Sequence, residues 1–241
     1  MKNIEIIKKL KSSAFTDEDG ENYTLDFKPG LTTEDIEKLK LLFPNNTIDN
    51  ELIEILKETR GWEDYGLDDI DFSSIGQFGF TELCPHSVTL GHDGFGNHWV
   101  LDISNDGSLG HVYYACHDPA VFIRYADDLN GFLSSLLEFH ESPAQNYLND
   151  IHDNIVYDIW ENNGLFVDKI DFEKANTSYF SFLNQLEDND WVIADLRNAK
   201  NKTGFAWGKF GPNSDIKRHP KELIWGIKKS KKGFFKRLFG N

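Results

Sequence analysis

The sequence is poor in cysteine, in long apolar runs and in the motifs that carry catalysis. Its 241 residues include two cysteines, Cys84 and Cys116, and one methionine. Disulfide scaffolds belong to oxidising compartments and use more cysteines than this, so two reduced, partly buried thiols are expected. The apolar runs are strand-sized, too short for a transmembrane helix. The opening Met1-Lys2-Asn3-Ile4-Glu5 has neither the apolar core nor the small-residue cleavage site of a secretory signal. The expected location is the cytoplasm.

Catalytic spacing is missing as well. The sequence has no Gly-x-Ser-x-Gly elbow, no His-Glu-x-x-His, no Cys-x-x-Cys and no calcium loop. Gly91, Gly94 and Gly96 lead into a strand rather than a helix, so they offer no helix N-terminus to a phosphate. Five of the eight histidines (His86, His92, His98, His111 and His117) lie between 86 and 117, near Asp93, Asp102 and Asp118. A metal-dependent enzyme built on this His86–His117 cluster is the alternative chemistry to weigh. His98 and Asp102, however, would stand about 13 Å apart along one strand. His98 and His111 could meet across neighbouring strands, but two ligands make no catalytic site. The chain is expected not to be an enzyme, with no catalytic residues, no cofactor and no metal.

The chain is rich in acid and in aromatic rings. Aromatics make up 14% and the formal charge is −15. Residues 1–140 hold 26 acidic against 10 basic residues, whereas residues 228–241 hold six basic residues and no acid. Phosphate binding needs a basic footprint, so direct nucleic-acid contact is not expected. A basic protein would be attracted instead. The basic-aromatic tail has the composition of a membrane-surface segment, and folding back on the acidic body is the favoured alternative.

Periodicity predicts an α+β protein. Ile4, Ile7 and Leu10 mark a first helix. Residues 16–30 read as a loop. Thr32 or Thr33 caps a helix with Ile36, Leu39, Leu42 and Phe43 on its apolar stripe, stopped by Pro44. A second helix runs from about Asp49 to a stop at Gly61, and Gly61 to Ser74 reads as an irregular loop. Four strands follow at Ser87–Leu90, Asn97–Ile103, His111–Cys116 and Val121–Tyr125. In the second of these, Trp99, Leu101 and Ile103 face a core, while His98, Val100 and Asp102 face a partly wet side. A helix from about Asp127 closes the set. Beyond it, a helix from Ser142-Pro143 to Gly164, another over 178–187, and two strands (Trp191–Leu196 and Gly204–Phe210, joined by the turn Arg197–Thr203) form an α/β extension. The division is 1–140, 141–227 packed on it, and the tail 228–241.

The sharpest local feature is Gly91-His92-Asp93-Gly94-Phe95-Gly96-Asn97-His98-Trp99-Val100-Leu101-Asp102-Ile103. Its glycines and Asn97 tolerate positive φ and make a tight reversal between strands. Together with His117-Asp118 and the flanking helices, the order resembles the SUKH superfamily over roughly residues 31–140. That family is named for a fungal cell-wall-synthesis regulator and includes bacterial immunity proteins. Asp93, Gly96, Asn97, Trp99, Asp102, His117 and Asp118 stand at the matching places. Phe43-Pro44 replaces the usual Leu-Pro, and Arg60-Gly61-Trp62 replaces the usual Asn-Gly. The resemblance implies a SUKH-like antiparallel sheet flanked by helices. It also implies a protein-binding role: an immunity protein that neutralises a cognate toxin domain such as a basic nuclease, or alternatively a regulatory scaffold binding endogenous proteins. Aromatic rings anchor interfaces and carboxylates steer partners, so Trp62, Asp64, Tyr65, Asp68, Asp69 and Asp71 are the expected partner-binding residues.

Overall fold

Helix α1 (Asn3–Ser12) starts where the Lys2 amide donates to Glu5 Oε2 at 2.9 Å. It buries Ile6, Ile7 and Leu10. The computed structural model describes residues 1–17, 19–64, 67–142, 148, 151–162, 165–211 and 214–229. After α1, two short strands, β1 (Phe15–Thr16) and β2 (Asn22–Tyr23), pair as a hairpin, and β3 (Asp26–Pro29) follows. The expected loop over 16–30 therefore carries strand structure, because its polar residues sit at a sheet edge where one face is wet.

Helix α2 (Thr33–Lys40) begins after Thr32, one of the two expected caps, and α3 (Asn50–Glu58) begins beside the expected start at Asp49. Thr32 Oγ1 accepts the Asp35 amide at 3.2 Å, and Asp49 Oδ1 accepts the Glu51 amide at 2.8 Å. Each satisfies a donor that the helix leaves open. Helix α2 ends before Leu42, which is exposed. Helix α3 does not run on to Gly61. The chain passes directly into β4 (Thr59–Glu63), which pairs with β5 (Asp69–Asp71). The expected irregular loop thus carries strand at 61–63 and 69–71. Gly61 is a strand residue because it adopts φ +152° and a Cβ there would lie 1.7 Å from the Ile70 carbonyl oxygen.

The meander β6 (Ser87–His92), β7 (His98–Ile103), β8 (Leu109–His117) and β9 (Ala120–Ala126) follows, then α4 (Leu129–Glu141), capped by Asp128. These four strands and the closing helix agree with the periodicity. Past α4, a π-turn leads into α5 (Tyr157–Glu161), then β10 (Phe166–Asp168), α6 (Lys169–Ala175), α7 (Phe180–Leu183), β11 (Trp191–Asp195), β12 (Thr203–Phe205), β13 (Ile216–Arg218) and β14 (Ile224–Lys228). The start and end expected for the helix at Ser142-Pro143 and Gly164 fall partly outside the described residues, as do 230–241 of the tail. Among the described residues, no helix is long and apolar enough to cross a membrane.

The eight strands of the main sheet run β12-β9-β8-β7-β6-β5-β4-β3, each antiparallel to its neighbours. A second sheet runs β10-β11-β14-β13. Strands β11 and β12 are therefore not a hairpin. The turn between them carries the chain from one sheet to the other, and β12 joins the edge of β9.

Alternation along each strand sorts the residues into layers. Trp99, Leu101, Ile103, Val112, Tyr114, Cys116, Val121 and Ile123 share one core with the helices α1 to α4. Val100, Tyr113, Ala115 and Phe122 face the other way and pack on Val192, Ala194, Trp225 and Ile227 of the second sheet. The far side of that sheet is covered by Phe172, Phe182 and Leu183 from α6 and α7. On the side of β7 expected to be partly wet, Val100 and Asp102 are buried, while His98 at the strand's start stays half-buried. The cover of that side comes from strands at least 88 residues further along, at 191–195 and 224–228.

Candidate functional site

The signature hairpin is fixed by one carboxylate. Asp93 Oδ1 accepts the amides of Phe95 (3.0 Å) and Asn97 (3.2 Å), and Oδ2 accepts Asn97 Nδ2 (2.7 Å) and the Tyr114 hydroxyl (3.0 Å). Asn97 Oδ1 in turn accepts the His117 amide at 3.1 Å and lies 3.0 Å from His117 Nδ1. Asp93, Asn97 and His117 thus form one chain of hydrogen bonds tying the β6–β7 turn to the end of β8. Gly96, at φ +88°, packs so closely that a Cβ would sit 3.2 Å from His117 Cε1. Trp99 lies in the helix-side core, its ring 4.8 Å from that of Tyr114. Asp102 points to the opposite side. There it is buried and paired through both oxygens with Arg218 of β13, Nη1 to Oδ1 at 2.6 Å. Burial opposes the charge on Arg218, yet the Asp102 carboxylate more than restores it and raises its pKa.

The residues expected to bind a partner separate into two groups. Trp62 is fully buried, stacked 4.8 Å from Phe27, and is removed from any interface. Its indole donates to Asp64 Oδ2 at 2.7 Å. Asp64 has no exposed side-chain surface either. It accepts His140 Nε2 at 3.0 Å and, through Oδ1, the Leu67 amide at 3.0 Å, while His140 Nδ1 meets the Tyr23 hydroxyl at 2.9 Å. Burial pushes the Asp64 carboxyl up, but these donors outweigh it and hold its pKa below the ordinary range. The pair is a structural knot joining β2, β4 and α4. Asp69 pairs with Lys28, and Asp71 accepts the amide and hydroxyl of Ser73. Asp68 remains exposed, with His92 Nδ1 at 3.3 Å. Tyr65 lies outside the described residues.

The histidines do not converge. His98 stands opposite Ala115 on β8 and His92 on β6, so it does not meet His111. His111 Nδ1 instead contacts the Asp127 carbonyl at 2.6 Å. Among the described residues, no group of three or more His, Cys, Asp or Glu is placed to hold a metal ion. Cys84 and Cys116 are free and buried, on opposite sides of the main sheet. Burial raises both thiols, Cys116 to about 11, which makes them poor nucleophiles.

Two of the surface recesses lie beside signature residues. One of about 620 Å³ is lined by His86, Ser104, Asn105, Asp106, Arg218 and Lys221, but its guanidinium is already committed to Asp102. The other, about 570 Å³, lies at the turn between β8 and β9. His117, Asp118, Pro119 and Ala120 form one side, and Tyr157, Trp160, Glu161, Trp207 and Gly208 form the other. Two signature residues, His117 and Asp118, therefore open onto a groove whose aromatic wall comes from the C-terminal half. Sequence reading missed it because no motif joins residues 117–120 to 157–161 and 207; the one signal was aromatic residues scattered through an otherwise polar stretch.

Residues 30–135 match the family model described as SMI1 / KNR4 family (SUKH-1). No curated protein and no solved structure matches the chain.

Proposed function

We propose, from the match of residues 30–135 to the SMI1 / KNR4 (SUKH-1) family model, that this chain is a protein-binding module of SUKH type and a non-enzymatic immunity protein that binds and neutralises a toxin domain. The observation that carries the reading is charge. The first 140 residues hold 26 acids against 10 bases, a surface that would speed capture of a basic partner such as a nuclease. The sealed polar groups support it too. The Asp64–His140 and Asp102–Arg218 pairs are closed into the interior, and the two thiols are buried and protonated, so none of them is poised for chemistry.

Co-expression with the product of the adjacent gene, assayed for toxicity, tests this reading. The expected result is a stable complex and restored growth of the toxin-producing cells. Undiminished toxicity with no complex would remove it and leave the alternative, a regulatory scaffold for endogenous proteins.

A further inference from the structure

We propose that the groove at the β8–β9 turn is a socket for an arginine side chain of the protein partner. This deepens the protein-binding reading and rests on it. Its walls are the rings of Tyr157, Trp160 and Trp207, and its acids are Asp118 and Glu161. Tyr157 is 49% exposed, so the wall is open to solvent. Neither Asp118 nor Glu161 makes an ion pair among the described residues, whereas Asp69, Asp102 and Asp195 each have a basic partner.

The groove already handles one cation. Lys209 Nζ lies 5.6 Å from the Trp160 ring centroid and donates to the Trp160 carbonyl oxygen. Two carboxylates against one lysine leave the recess net negative. Aromatic faces attract cations through their quadrupole. A guanidinium answers both features at once, because it stacks flat on an indole and donates a two-pronged hydrogen bond to a carboxylate. An ammonium matches the charge but not the shape. The volume, about 570 Å³, lies within the roughly 300–1,000 Å³ typical of sites that enclose a small group.

The site also draws on both halves of the molecule. His117, the residue before Asp118, sits at the end of the hydrogen-bond chain that begins at Asp93. The signature network therefore holds one wall of the socket rigid, while the C-terminal half supplies the rings. Partner choice would follow from the second wall, which lies outside the segment matched to the family.

The test is a titration of the full chain, ¹⁵N-labelled, with acetyl-Gly-Arg-Gly-amide, followed by the indole N–H signals of its tryptophans. The Trp160 and Trp207 signals should shift and saturate at millimolar peptide. The same peptide with citrulline, equal in shape but uncharged, should bind at least fivefold more weakly. The isosteric double variant D118N/E161Q should lose at least fivefold in affinity while its remaining amide spectrum is unchanged. Equal shifts with citrulline, or shifts centred on Asp68 rather than the two indoles, would overturn the proposal. So would silence from both peptides; if added salt then moved the same indoles, the occupant would be the chain's own basic tail. The citrulline comparison uses the unaltered protein and decides the matter even if the double variant fails to fold. A chain that neutralises a toxin yet ignores the peptide loses only the socket. One that takes the peptide but no toxin loses only the immunity reading.

Discussion

The two faces of the main sheet are covered by different means. On one face lie helices α1 to α4, whose apolar stripes meet Trp99, Leu101 and Tyr114 and whose polar fastening is the Trp62–Asp64–His140–Tyr23 knot. On the other lies a second sheet, packed through stacked rings: Tyr113 and Phe122 are 4.4 Å apart, with Trp225 edge-on to Phe122 at 5.9 Å. Its polar fastening is the Asp102–Arg218 pair. The helical side draws on α1 and the end of α4 as well as on the segment matched to the family model, and the other side needs residues 191–228. The main sheet is therefore covered on one face mainly by helices α1 to α4 and on the other by the C-terminal half.

Breaking each fastening measures how unequal the faces are. Asp102→Ala should have the largest effect, about 3–5 kcal/mol, because it strands a buried guanidinium with no partner. Urea unfolding would show it, and a loss under 1 kcal/mol would mean that the second sheet is held by its rings alone. Asp64→Ala should follow at about 2–4 kcal/mol, since it leaves the Trp62 indole, the Leu67 amide and His140 without an acceptor. Asp64 lies at the end of β4, three strands from β7, or about 14 Å at the usual strand spacing. The two losses should accordingly add to within about 0.5 kcal/mol.

The Asp64 contribution should also depend on pH. Its folded-state pKa lies below the ordinary 3.8, so the stabilisation is complete above that value and fades as pH falls through the folded pKa. The stability gap between the parent and Asp64→Asn should narrow below about pH 4, and a gap that widens there would reverse the assignment. Gly96→Ala should cost about 1–2 kcal/mol, from its positive φ and the contact with His117. Asp68→Asn should change stability by less than about 0.5 kcal/mol, because its side chain is exposed.

What could be read from the sequence was local. Thr32 and Asp49 announce their helices by side-chain chemistry alone, and the alternation from Trp99 to Ile103 fixes which residues face the helical core. Two kinds of information were hidden. Gly61 and the run of aspartates at 68, 69 and 71 look like turn chemistry, yet the glycine is there because β5 passes too close for a side chain. Asp102 looks like a residue facing water, because the arginine that neutralises it lies 116 residues away. Separations of about 40 and 90 residues concealed the socket, and the 35 residues between Phe27 and Trp62 made Trp62 look like an exposed anchor.

That separation has a consequence during synthesis. When the ribosome has completed β9 and α4, the helical face can close, but Val100, Tyr113 and Phe122 must wait for Trp225 and Arg218. At about 5–20 residues per second, the wait is on the order of ten seconds. For that interval the nascent chain carries an uncovered aromatic sheet, a surface suited to a holding chaperone. The Asp102–Arg218 pair is thus among the last contacts whose partners both leave the ribosome.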